Sequence, residues 1–472
     1  MKYNVFLVLL LLNLSLNTPI NNINRKRAIQ SKDKFCLITL HDQSSTYDKN
    51  FIDAFSEIGN ELGVEVEIKS NIPEGEECYT TAKQFAESGC KGIFADSFGH
   101  EKYILKAAKE YPNIQFAHAT GTLAHTEKLS NFHNVFASIY EARYVTGIAA
   151  GMKLNEMIKN NQIKESEAKI GYVGAFPYAE VISGYTAFYL GAKSVCNSVT
   201  MKVRYTSSWY DEQSEKATAE KLIDSDKCKI ISQHADSQGA PNACESRSVP
   251  NVFYNGENKQ LTKSYLISQK INYKPFFKTF IESTQNGTQM NYDYTGTLND
   301  DSVIVYPASS IAAEGTQSAV DQAINNLKSG KIKVFDTSKF TVNGKTLTSY
   351  KADVDTDDNF EKETEVISGG YFHESEYRSA PYFDIIIDGI EISDDNGNGN
   401  GDNDEPKTYN IPNRGKNKNK GLSGGTIVAI ILPIVAIIAI LVAVIILLSK
   451  GSSEAATKTA SIANSSIQNL NK

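Results

Sequence analysis

Tryptophan is nearly absent: Trp209 is the only one in 472 residues. A basic surplus is absent too. Lys and Arg number 48 against 55 Asp and Glu, for a net charge of −7. That argues against nucleic acid as the main partner, because a phosphate-binding face needs a basic patch. The seven histidines are scattered and form no HExxH pair. Adjacent His41 and Asp42 invite a general-base reading, but no GxSxG elbow supplies a nucleophile. None of the six cysteines, at 36, 78, 90, 196, 228 and 244, has the CxxC spacing of a metal site. These absences leave no catalytic residue, metal centre or cofactor to nominate. An even cysteine count in a secreted domain permits disulfides. Cys78–Cys90 and Cys228–Cys244 are the candidate bridges, and Cys36, inside the strand-like FCLITL, reads as a small buried residue.

What the chain does have is two hydrophobic ends. Residues 1–18, MKYNVFLVLLLLNLSLNT, place a basic residue before an apolar run too short to span a bilayer, the pattern of a signal peptide. Thr426–Leu448 is an apolar run of 23 residues without a charge, long enough to cross a ~30 Å hydrocarbon core as a helix. Pro433 within it is tolerable in such a helix. Residues 391–425 read as a low-complexity stalk and 449–472 as a short inner tail. More Lys and Arg precede the span than follow it, which by the positive-inside rule would reverse the chain. A signal peptide and a long translocated domain outweigh that, so the N-terminus is expected outside, on the plasma membrane or another secretory-pathway membrane. Asp394, Asn396, Asn398, Gly399 and Glu405 fit Ca²⁺-loop spacing. Gly401 and Pro406 favour a plain solvated linker. Asn286 heads the one glycosylation sequon between signal and span.

Between the ends, strand and helix patterns alternate. FCLITLH, VEVEIKS, GIFADSF and IQFAHAT read as strands, and FIDAFSEIGNELG, YTTAKQFAESG and EKYILKAAKEY as helices. A second set follows. KIGYVGA runs into FPYAEVISGYTAFYLGAKSV, then come YTSSWYDEQSEKATAEKLI and IISQHADSQGAPNACE, with VPNVFYN (249–255) as the last clear strand. KVFDTSKFTV looks like a late hairpin. Repeated βαβ units give parallel sheets that bind ligands at the C-terminal ends of their strands. Those ends carry Phe98, Phe176, Trp209, Asp211, His234 and Asp236. Aromatic faces plus a few acceptors suit a small, flat, polar ligand better than they suit catalysis.

Each candidate has a plainer alternative. Trp209 and Phe98 either face the ligand or pack the strand end, and Phe176 either stacks on a ligand or plugs its lobe. Asp211 and Asp236 either accept from the ligand or cap a helix. His234 reads more readily as a satisfied strand histidine.

The segments SFGHEKYILKAAKEYPNIQFAHATG (97–121), YEARYVTGIAAGMK (140–153), KIGYVGAFPYAEVISGYTAFYLGAKSV (169–195), SSWYDEQSEKATAEKLI (207–223) and SQHADSQGAPNACE (232–245) occur together in one order and spacing. In this the chain resembles the basic membrane protein family of bacterial solute-binding proteins, over about residues 34–345. The resemblance implies a two-lobed, periplasmic-binding-protein type I α/β fold with ligand in the interlobe cleft. The first lobe is expected over 33–145 with a return segment at about 256–300. The second is expected over 146–255 with a return at about 301–390. The branch it is most similar to implies a purine base or nucleoside as ligand. There the family has a tryptophan near the position of Ser45, whereas this chain offers Tyr47. It has an acid where this chain has Asn255, which weakens the case for ribose binding. The expected protein is a membrane-anchored receptor for uptake or sensing, and it would need a transporter partner because one helix forms no pore. The alternative is a surface adhesin or antigen that keeps the fold without the ligand.

Overall fold

The computed structural model describes residues 32–354 and 361–393. The expected signal segment, nearly all of the stalk, the Ca²⁺-type spacing, the apolar run 426–448 and the tail lie outside the described residues. Among the described residues no helix is long and apolar enough to cross a membrane.

The first half alternates β1 (Lys34–Ile38), α1 (Thr46–Leu62), β2 (Glu65–Lys69), α2 (Glu76–Glu87), β3 (Cys90–Ala95), α3 (Glu101–Glu110), β4 (Gln115–Ala119), α4 (Ala124–Glu127) and β5 (Phe132–Ala137). α1 shows why such helices form. The Ser45 side chain accepts from the Asp48 N–H at its start, and Gly63 closes it at φ 68°, a conformation that favours glycine. Between these caps Phe51, Phe55 and Ile58 are buried at helical spacing.

The chain crosses at Ser138 into α5 (Ile139–Lys159). It continues through β6 (Lys169–Gly174), α6 (Ala179–Lys193), β7 (Thr200–Tyr205), α7 (Glu212–Asp224), β8 (Ile230–His234), α8 (Gly239–Arg247), β9 (Asn251–Phe253) and β10 (Tyr265–Ile271). α5 and α6 pack closely because Gly191 sits against the Tyr144 carbonyl, leaving no room for a Cβ. The small residues of TGIAAG and YLGA serve that contact. A second crossing leads to α9 (Lys274–Asn286) and β11 (Asp293–Gly296). A third leads back to β12 (Val303–Val305) and α10 (Thr316–Lys328). Short pairs β13 (Lys351–Ala352) with β14 (Thr364–Glu365), and β15 (Ile367–Ser368) with β16 (Tyr371–Phe372), precede the last strand, β17 (Ile390–Ser393).

The strands form two main sheets, ordered β11-β5-β4-β3-β1-β2 and β12-β10-β9-β8-β6-β7-β17. All pairs in them are parallel except β12 with β10. Each sheet is one lobe. The crossings are tied to one another, Ser138 N donating to Gly296 O at 2.8 Å and Asn272 N to Ser302 O at 2.8 Å.

Four expectations change. The first lobe ends at Ser138 rather than 145, because the buried side of α5 packs on α6. Tyr265–Ile271, expected in the return to the first lobe, pairs with β9 in the second sheet, and the return begins only with α9. There Phe277 packs against Phe51, Phe55 and Phe94 of the first lobe. KVFDTSKFTV forms turns with isolated bridges, Asp336 to Tyr371 and Val342 to Lys345, and not a hairpin. The disulfide is Cys36–Cys90, with Cα atoms 6.1 Å apart. Cys78, Cys196, Cys228 and Cys244 are free and buried. β1 and β3 are adjacent strands, which sets two distant cysteines at bridging distance; spacing along the chain does not reveal that.

The segment after α10 is an appendage on the second lobe. Phe335 stacks on Phe383 at 4.4 Å, and β17 extends the sheet beside β7. It also reaches the first lobe, where Ser379 donates through N and Oγ to Asp293 Oδ1 at 2.9 and 2.6 Å.

Candidate functional site

A small cavity of about 20 Å³ lies between the lobes at the C-terminal strand ends, room for little more than one water in this arrangement. The first lobe lines it with Leu40, His41, Tyr47, Asp48, Ser97, Phe98 and Thr120; the second adds Glu180, Trp209, Asp236 and Tyr254.

On the first lobe Asp48 and Tyr47 are held by their own chain, while His41 Nδ1 has no hydrogen bond. Asp48, in the first turn of α1, accepts from His41 N at 2.7 Å and Ser45 Oγ at 2.6 Å. Burial pushes its carboxyl up, but these bonds outweigh burial and hold it below the usual range. Tyr47 donates through its hydroxyl to Asp96 O at 3.0 Å and sets its ring edge-on to Phe51 at 5.0 Å. Burial, reinforced by the Asp48 charge, holds Asp96 well above the ordinary carboxylate range. Thr120 has φ 58°, a strained conformation for a β-branched residue that marks a constrained strand end.

On the second lobe the strand-end loops hold one another through the backbone. Ala175 N donates to His234 O, Ser207 N to Ala175 O and Asp236 N to Trp209 O, each at 2.9 Å. This lattice sets the Asp236 side chain into the cavity wall. Asp236 is 4% exposed, and among the described residues nothing hydrogen-bonds its carboxyl. Burial pushes it well above the usual range, and the charges of Asp48, Glu215 and Glu180 add to that. Trp209 is half-buried beside it. His234 Nε2 lies 2.9 Å from the Tyr254 hydroxyl and 3.2 Å from Glu180 Oε1. Burial keeps His234 below its ordinary value, that is, neutral.

The lobes touch across the cleft. Thr46 N donates to Asp236 O at 3.1 Å. Phe98 stacks on Tyr178 at 5.0 Å and 22°, and His41 lies 5.4 Å from the Tyr210 ring. This is a closed arrangement.

Four of the seven residues nominated from sequence, Tyr47, Phe98, Trp209 and Asp236, come together on this cavity. Three do not. Phe176 lies one layer back, stacked on Tyr178 at 5.2 Å and edge-on to Trp209 at 5.2 Å. Asp211 caps α7, accepting from Ser214 N at 2.9 Å. Asn255 accepts through Oδ1 from Asn50 Nδ2 at 2.7 Å and Ile271 N at 3.1 Å, a tie between lobes. Sequence reasoning missed Asp48, Glu180 and Tyr254. Tyr254 stands one position before the nominated Asn255. The two acids sit in first helical turns, where they read as helix-dipole partners. Among the described residues no cluster of His, Cys, Asp and Glu could hold a metal. Glu180, Asp48 and Asp236 line the cavity without a Lys or Arg beside them, which suits an uncharged, donor-bearing ligand and disfavours an anionic one.

Two parallel-sheet lobes with a cavity between their strand ends are the architecture shared by two-lobed solute-binding modules. An ABC transporter solute-binding protein of Conexibacter woesei has this fold, with a TM-score of 0.52 at 19% identity over 64% of this chain and 98% of that one. Residues 37–336 match the model of the Bmp family, ABC transporter substrate-binding protein PnrA-like. The chain belongs to that family of extracytoplasmic solute-binding proteins. Two relatives are similar in sequence. One, from Haloferax volcanii, is named for ABC transporter glucose binding (TsgA13) and is 34% identical over 207 residues, 44% of this chain and 49% of the relative. The other, from Brucella abortus, is named a purine-binding protein and is 33% identical over 209 residues, 44% of this chain and 53% of the relative. The chain spans about half the length of these curated relatives.

Proposed function

We propose that the cleft captures one purine base or nucleoside and closes around it. The observation that carries this reading is Asp236, a buried side chain with no hydrogen bond to its carboxyl among the described residues, in the same cavity wall as Trp209. A carboxyl meets the N–H and amino groups of a purine edge, and an indole face meets its ring. A stacked ring contributes about 1–3 kcal/mol, and a hydrogen bond about 0.5–1.5 kcal/mol. A few such contacts reach micromolar affinity, about −8 kcal/mol. Closure follows only if the ligand binds the closed form more tightly than the open one, and groups drawn from both lobes supply that difference. The purine-binding relative supports the same ligand class.

In this reading the apolar run 426–448 tethers the receptor to a plasma or secretory-pathway membrane, and a separate transporter or signalling partner receives the ligand. A second reading, an adhesin or antigen with the cleft retired, is favoured by the Phe98–Tyr178 stack, in which two aromatic faces from the two lobes cover each other across the cleft. A calorimetric panel of adenine, hypoxanthine, guanine, adenosine, inosine and glucose separates these. One-to-one micromolar binding of a purine supports the proposal. Binding of glucose alone moves the ligand class to sugars, and silence from folded protein favours the adhesin.

A further inference from the structure

Arg143 is the largest of the fully buried side chains, 0% exposed in the hinge helix α5. Its Nη2 donates to Gln233 O at 3.0 Å. Its Nε and Nη1 have no hydrogen-bond partner, and among the described residues no carboxylate forms an ion pair with it. A guanidinium in that position is expensive unless something compensates it. Here two aromatic faces do so, Cζ lying 4.3 Å from the ring centre of Tyr254 and 5.6 Å from that of Tyr172.

Tyr254 continues the path toward the cavity. Its hydroxyl is 2.9 Å from His234 Nε2, which is 3.2 Å from Glu180 Oε1, and both Tyr254 and Glu180 line the cavity. We propose that Arg143 is a positioning residue of the cleft: its guanidinium braces the face of Tyr254, and through Tyr254 and His234 it fixes the carboxylate that Glu180 turns to the ligand. This rests on the purine reading only for the choice of probe. The brace is placed where the chain enters the second lobe, so it joins the hinge helix to the ligand wall. The groups facing His234 are Glu180 from α6, Tyr254 from the end of β9, Arg143 from α5 and the ring of Trp209 at 6.5 Å. Burial keeps His234 from protonating; the Glu180 carboxylate opposes this and the Arg143 cation adds to it.

Two readouts test the brace on the full chain. Without ligand, the imidazole resonance of His234 is titrated in native protein, Arg143→Met and Arg143→Lys. The Met variant fills similar space without charge, so the His234 midpoint should rise, since a repelling cation has gone. The Lys variant keeps the charge and should stay near native. With adenosine as probe, the Met variant should bind about tenfold more weakly and the Lys variant should recover most of that loss. If the Met variant does not fold, Arg143→Gln replaces it with the same expectations. A folded Met or Gln variant with native His234 midpoint and native adenosine affinity, changed only in melting temperature, overturns the inference. If native protein gives no heat with adenosine, the purine reading fails while the His234 titration still decides the brace: an unmoved midpoint rejects it, and a raised one supports it.

Discussion

The two lobes are built alike and face the cleft differently. In the first lobe the cleft acid and phenol are already occupied, Asp48 bonded by His41 and Ser45 and Tyr47 by Asp96, while His41 Nδ1, 3.5 Å from Asp48 Oδ2, lacks a hydrogen bond. In the second, Asp236 has no partner for its carboxyl, and Trp209 stands beside it. The disulfide belongs to the first lobe alone. The appendage belongs to the second, and residues 337–393 lie beyond the family match. The difference assigns roles. The first lobe is a prepared wall, and the second carries the carboxyl that still needs a partner, so ligand recognition should be lost more readily from the second.

The largest expected effect breaks the first lobe without touching recognition. Cys36→Ser opens a link across a sequence separation of 54 residues, worth about 4 kcal/mol in the chain-entropy model. The denaturation midpoint should drop steeply, while protein that remains folded keeps its purine affinity. Next is Asp236→Ala, which should weaken purine binding by roughly 10- to 150-fold and leave stability unchanged or raised, because it removes a buried carboxyl without a partner. Trp209→Ala should cost about 1–3 kcal/mol of binding, read by the same titration.

A fourth prediction uses pH. Burial raises Glu141, Glu215 and Glu374 to about 7 from 4.5. An acid raised on folding is most comfortable when protonated in both states. Its stabilising influence is therefore present below about pH 4.5 and is lost as pH climbs to about 7. Chemical denaturation across that window should show stability falling, and Glu215→Gln should flatten part of the slope. The smallest effect is Asp211→Ala, about 1 kcal/mol of stability from the lost cap, with purine affinity unchanged. A large loss of affinity there would mean that Asp211 reaches the ligand after all.

Much of the fold was legible because βαβ repetition shows in the pattern itself: apolar runs, each closed by a polar strand end and followed by a helix. The lobe boundaries were harder. YLISQKI carries a good strand pattern, but nothing in it says which sheet it joins, and β9 makes that decision through tertiary pairing. The disulfide was hidden for the same reason, since only the register of β1 against β3 brings Cys36 to Cys90. In the site, strand-end aromatics and Asp236 could be read from position. Asp48 and Glu180 could not, because an acid in a first helical turn looks the same whether it serves the helix or a cavity. Asn255 was nominated because it stands where the family carries an acid; here its side chain ties the lobes instead, and Tyr254 one position earlier lines the cavity.

The most direct test of the central claim is a calorimetric titration of adenosine and adenine into the native chain and Asp236→Ala in parallel, with folding of both verified. The account predicts one-to-one binding at micromolar affinity or tighter for at least one of the two in the native chain, weakened at least tenfold in the variant. Equal binding by both proteins would contradict the role given to the second lobe. No binding by native folded protein would contradict the purine reading itself.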